Sequence, residues 1–131
     1  MSILDRKAFD ASRGFLETTA RPLEFARFRH AFLGAPAEVV LDALGEFRND
    51  DGGFGHALEP DLRTPVSSVL CTSIAFQLLR SLNASPEHSF VSDGIAFLMA
   101  NFDQGQYGWR IIPETAEHSP RAPWWYQTGR E

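Results

Sequence analysis

The chain has 131 residues, 44% of them hydrophobic, enough for one domain whose core buries roughly two-thirds of the surface the unfolded chain exposes. A net charge of -5, with Lys7 the sole lysine, excludes a sequence-independent grip on nucleic acid, which needs clustered Lys and Arg; Arg21, Arg27 and Arg29 gather near His30, but Glu17 and Glu24 dilute them. The lone Cys71 excludes an internal disulfide, and neither an apolar leader nor an apolar run of membrane-spanning length occurs, so a cytoplasmic protein without a membrane span is expected.

Helical periods dominate, and no run alternates as a half-buried strand should. The first predicted helix covers residues 5–20, with Phe9, Ser12, Phe15, Leu16 and Thr19 on one side, and stops near Arg21 because the residue before a proline disfavours helix. Pro22 suits the first turn of a second helix carrying a Phe25, Phe28, Phe32 stripe, which Gly34 ends. The third opens at Pro36 and carries Val39, Val40, Ala43, Leu44 and Phe47. After the segment "NDDGGFGHALEPDLRTP", Thr64 as N-cap and Pro65 at the first position launch a fourth helix. Its Val66, Leu70, Ile74, Leu78 and Leu82 repeat every four residues, while Val69, Phe76 and Leu79 cover another side. Ser85 and Pro86 repeat the device before a fifth helix, whose expected buried face is Val91, Ile95, Leu98 and Phe102 and whose Gly94 admits a neighbouring helix. The rest holds three prolines and an aromatic triplet and reads as extended or irregular chain.

The glycine segment has an echo. Asp50, Gly52, Phe54 and Gly55 recur as Asp103, Gly105, Tyr107 and Gly108 at an offset of 53 residues. A glycine and aromatic turn returning after helices is what a helical repeat writes into its sequence, the glycines allowing tight turns and the aromatic plugging the space between helices. Asp50, Gly52, Gly53, Phe54, Gly55, Gln104, Gly105, Gly108 and Trp109 are therefore read as structural turn residues.

These residues carry a resemblance. "GIAFLMANFDQGQYGW", residues 94–109, resembles the QW repeat of squalene and hopene cyclases, and "FRNDDGGFG" resembles a turn shared by those cyclases and protein prenyltransferase beta subunits. "GGFGHALEPDLRTPVSS" with "PRAPWW" looks like a group of bacterial proteins with squalene-cyclase-type repeats. The resemblance covers about Ala35 to Tyr126 and implies an all-α fold, a helical-hairpin repeat forming a partial α/α-toroid, with an apolar, isoprenoid-like ligand. The chain then reads as a single domain, 1–131, made of a helical pair (1–34), a repeat region (35–113) and an aromatic tail (114–131). It departs from the pattern in lacking the Asp-x-Asp-Asp cyclase motif and the Asp-x-Cys context of prenyltransferase zinc, so no cofactor is implied.

An EF-hand register on Gly52 puts Phe47 and Leu58 at ligand positions, and no Gly-Lys-Ser/Thr follows the glycines, so calcium and phosphate loops both fail. His30, His56, His88 and His118 lack paired metal spacing, and no metal site is expected. "HALEPDL" is the sharpest catalytic candidate: a His with two carboxylates, His56, Glu59 and Asp61, can do acid and base work or, as carboxylates near a helix start, accept backbone N–H bonds. Trp124, Trp125 and Tyr126 are candidates to line an apolar-ligand site. Two functions stand: an apolar-ligand domain, catalytic if His56, Glu59 and Asp61 converge in one aromatic pocket, and a non-catalytic interaction or scaffold module. Because 131 residues hold about two and a half repeats, and the aromatic tail reads as uncovered, self-association or membership of a longer protein is expected.

Overall fold

A computed structural model describes residues 3–126. The chain divides into two compact units, Met1–Leu44 and Gly45–Glu131.

The first unit begins with α1 (Arg6–Thr19), where Asp5 caps the helix by accepting the Ala8 N–H at 2.7 Å. It ends at Thr19, two residues before Arg21, whose extended backbone (ψ 154°) is the conformation the following proline imposes. Helix α2 (Pro22–Leu33) has proline in its first turn and closes on Gly34 in the left-handed region (φ 70°). The Phe stripe works as an aromatic seam: Phe28 lies 5.6 Å from Phe9 of α1 and 5.2 Å from Phe32. Phe15, placed by its spacing on the inner side of α1, is instead 63% exposed. Helix α3 (Glu38–Gly45) supplies the fully buried Val40 and Leu44.

In the second unit α4 (Val69–Ser81) packs on α5 (Ser89–Ala100). Both start three or four residues later than the serine or threonine plus proline signals predicted. The α4 cap is Ser68, whose Oγ accepts the Cys71 N–H at 3.0 Å, while Thr64 and Pro65 remain in the preceding loop. The competing claim is tertiary: Pro65 O accepts the His56 N–H and Ser68 donates its N–H to Phe54 O, holding residues 65–68 against the glycine segment and out of the helix. Likewise Ser85 closes a turn onto His88, and His88 Nδ1 caps α5 by accepting the Phe90 N–H at 3.1 Å.

The buried side of α5 is Gly94 and Phe97, not the predicted Ile95 and Phe102, which are exposed. Gly94 sets this orientation, because a Cβ there would stand 2.6 Å from the Phe76 ring of α4. The echoed turn, expected without strands, forms an antiparallel hairpin of β1 (Phe102–Asp103) and β2 (Gly108–Trp109), with Phe102 opposite Trp109.

Two short 3-10 turns, Glu114–His118 and Pro123–Trp125, shape the tail. Expected to be uncovered, the tail is so only in part: Leu62 bridges Arg121, Leu70 donates to Ile111 O, and Ile112 and Ala116 bury against Leu62 with Leu70 and Trp125 beside them, while Trp124 and Tyr126 stay exposed. Residues 127–131 of the predicted aromatic tail lie outside the described residues. The described chain is predominantly helical, and no helix in it is long and apolar enough to cross a membrane.

Candidate functional site

Phe54 anchors the glycine segment. Its side chain is fully buried and meets Phe90 edge-on at 5.7 Å, its N–H donates to Thr72 Oγ1 at 3.0 Å, and its carbonyl accepts from Ser68. The loop is thereby pinned to the first turn of α4. Gly52 turns through φ 83°; Gly53 and Gly55 have ordinary φ and are required instead by close approach, a Cβ on Gly55 falling 2.4 Å from Val66 O. Asp50 lies exposed at the rim of this turn.

Around this anchor four polar side chains form a chain of hydrogen bonds. His56 Nε2 lies 2.7 Å from Asn49 Oδ1, and the Asn49 amide donates to Ser67 Oγ at 2.9 Å and to Pro65 O at 3.0 Å. Ser67 Oγ donates in turn to Asp51 Oδ1 at 2.7 Å, which also accepts the Gly53 N–H. Because the Asn49 NH₂ is the donor in two bonds, its Oδ1 is the acceptor and His56 holds its proton on Nε2. A carboxamide does not relay protons, so in this arrangement the imidazole has no proton path to the Ser67 hydroxyl. His56 and Ala57 both adopt positive φ, 52° and 62°, in the turn from Gly55 to Leu58. The network braces that turn.

The remaining catalytic candidates lead elsewhere. Asp61 Oδ1 accepts the indole N–H of Trp125 at 2.9 Å and its carbonyl accepts from Ala122, so the carboxylate buckles the tail. Glu59, half-buried, accepts the Leu62 N–H on its carbonyl. His56 and Asp61 thus bond to different segments, and among the described residues no three His, Cys, Asp or Glu side chains gather closely enough to hold a metal ion. Of the aromatic triplet, Trp125 packs inward, Trp124 is 68% exposed, and Tyr126 covers the Arg121 guanidinium at 4.2 Å. That guanidinium, buried, donates to the carbonyls of Ala116, Glu117 and Ser119 and pairs with Glu117 at 2.5 Å, locking the first 3-10 turn.

The echoed turn differs in bonding register and in burial. Asp103 Oδ1 accepts the Gly105 N–H at 2.8 Å, whereas in the first turn the acceptor is Asp51, one position beyond the echoed Asp50, and Tyr107 stands 88% exposed where Phe54 is buried. Gln104 and Gly105 are exposed in the hairpin turn, and Gly108 is in β2. Trp109 stacks edge-on against Phe102 at 4.8 Å and donates its indole N–H to Leu98 O at 2.7 Å, satisfying a carbonyl in the last turn of α5. A cleft of about 400 Å³ opens beside it, lined by Asp103, Gln106, Trp109 and Arg110. A smaller one, about 100 Å³, lies over Ser67, Ser68 and Phe97. Neither cleft is lined by His56, Glu59, Asp61 or the tail aromatics.

The chain matches no family model, no curated protein and no solved structure. The site must be argued from its own chemistry, and the surface that stands out is the exposed side of α5. Its exposed residues are Ser89, Ser92, Ile95, Ala96, Met99 and Ala100, with Met99 71% and Ile95 49% accessible. None is charged. The helix's one charged residue, Asp93, is engaged by Arg48. Each of the other four helices carries at least one charge at an exposed position, as a solvated face requires. Sequence reasoning missed this face because apolar spacing assigned Ile95 to the core; the available signal was the near absence of charge through "SFVSDGIAFLMA".

Proposed function

We propose that this chain is a non-catalytic interaction module built on a helical repeat of the terpenoid cyclase and prenyltransferase kind, a partial α/α-toroid. One observation carries the interaction reading: α5 turns a neutral face of Ile95, Ala96 and Met99 to solvent, continued at spacing of three by Phe102 and its stacking partner Trp109. Apolar residues exposed together without charge mark an association surface rather than a solvated one. The repeat reading draws support from the sequence echo. The engagement of Asp61 by Trp125 and of His56 by Asn49 supports structural work for the residues first considered for catalysis.

The test sets the module against an enzyme acting on an apolar ligand. Melting curves with linear isoprenoids should show no saturable shift, and incubation should yield no product. A saturable shift with product formation that His56→Ala and Asp61→Asn abolish would overturn the reading.

A further inference from the structure

Resting on that reading, we infer that the partner of the α5 face is a second copy of this chain, related by a two-fold axis through the exposed side of the helix.

Three observations favour this occupant. The chain's own following segment is committed elsewhere: residues 111–125 bond to Leu70, Arg63 and Asp61 and bury Ile112 and Ala116 against Leu62. They leave Ile95 and Met99 exposed.

The second observation is electrostatic. The protein carries a net charge of -5, so two copies repel wherever acidic surfaces meet. A two-fold interface sets one patch against itself, and any charge in it faces its own sign across the axis unless the opposite sign lies beside it. The exposed positions of α5 hold only Ser, Ile, Ala and Met, and the half-exposed Asp93, one turn before Ala96, has its opposite charge beside it in Arg48, so this patch can oppose itself without unpaired like-charge contact. The Ser92 hydroxyl needs no partner from across the interface either, since its Oγ lies 3.3 Å from Ser89 O within the helix.

The third is size and shape. Ile95, Met99, Phe102 and Trp109 are 49%, 71%, 36% and 46% exposed. Large side chains bury roughly 200 Å² each, so these four and the small residues between them offer on the order of 600 Å² per copy. Two copies then bury about 1,200 Å², the lower end for a specific protein pair. Ala96 and Ala100, one turn apart, let the helix axes approach while Ile95 and Met99 fill the flanks.

Sedimentation or light scattering across a micromolar to submillimolar series tests this on the intact chain. The expected result is a concentration-dependent rise from 14.6 kDa toward twice that mass. Met99→Lys and Ile95→Glu, both at exposed positions, should each raise the dissociation constant about ten-fold or more, because each places like charges across the axis. Trp124→Ser, exposed in the tail and outside the face, should leave it unchanged. Far-UV circular dichroism matching wild type confirms that the charged variants are folded. A wild type that stays at the monomer mass throughout the series overturns the proposal, as does a dimer that both charged variants preserve. A monomer that shows no isoprenoid turnover refutes the second copy and leaves the module reading standing; isoprenoid turnover refutes the module reading whatever the mass.

Discussion

The indole Nε1 of Trp125 donates to the Asp61 carboxylate at 2.9 Å across 64 positions of sequence. This bond fastens the tail to the loop before α4. Asp61→Ala is expected to cost about 1–2 kcal/mol in urea unfolding, the range for a half-buried bond to a charged acceptor. Trp125→Phe keeps most of the ring's packing on Leu62 and removes the same bond. The double variant should therefore lose clearly less than the two single losses combined, and strict additivity would show that the pair is not coupled.

The two glycine turns should respond differently to the same substitution. Gly55→Ala drives a methyl to 2.4 Å from Val66 O and 2.5 Å from Pro65 O, both backbone atoms, so the loop itself must shift. A loss of about 2–3 kcal/mol follows. Gly108→Ala meets its nearest atom at 3.8 Å and should stay within about 0.5 kcal/mol of wild type. Equal losses in thermal melting would mean that close approach is not what distinguishes the turns.

Gly94 opposes Phe76, and the two should form a compensating pair. In the wild-type background Gly94→Ala crowds the Phe76 ring at 2.6 Å, and the overpacking cost of about 1–3 kcal/mol outweighs the gain of about 1 kcal/mol in helix propensity. Once Phe76→Leu has cleared the space, the same change should stabilise α5. A destabilising Gly94→Ala in both backgrounds would refute this.

A pH dependence is expected from the first unit. Burial disfavours the Glu24 carboxylate, but the hydrogen bond and charge of Arg21, at 2.5 Å, outweigh it and hold its pKa below the ordinary carboxylate value. The folded pKa is depressed, so the stabilisation is present above the unfolded value and is lost as pH falls through the folded one. Glu24→Gln should flatten this acid limb of the stability curve without altering the neutral plateau's slope. An unchanged acid limb in the variant would assign that slope to other carboxylates.

Much of the architecture is legible in the chain. Apolar residues at helical spacing locate the five helices of the described residues, Pro22 and Gly34 bound α2 closely, and glycines with an aromatic mark both segments as turns. These are local matters: a proline excludes helix before it and a glycine admits a left-handed stop, whatever surrounds them. The starts of α4 and α5 are not legible in this way, because a serine or threonine followed by proline is only a permission to begin: the backbone of residues 65–68 is claimed by Phe54 and His56, and Ser85 closes a turn onto His88.

Orientation and engagement belong to the tertiary structure alone. Spacing says that Ile95 and Phe97 lie on different sides of α5, but which side is covered depends on the fit of Gly94 to Phe76. Nothing local couples Trp125 to Asp61, or Asn49 to Ser67; those bonds form only when segments distant along the chain are brought together. A sequence lists which residues can donate, accept and pack within a few positions of one another. Which of those capacities are satisfied, and which face is left bare, is decided only when segments distant along the chain compete for the same atoms.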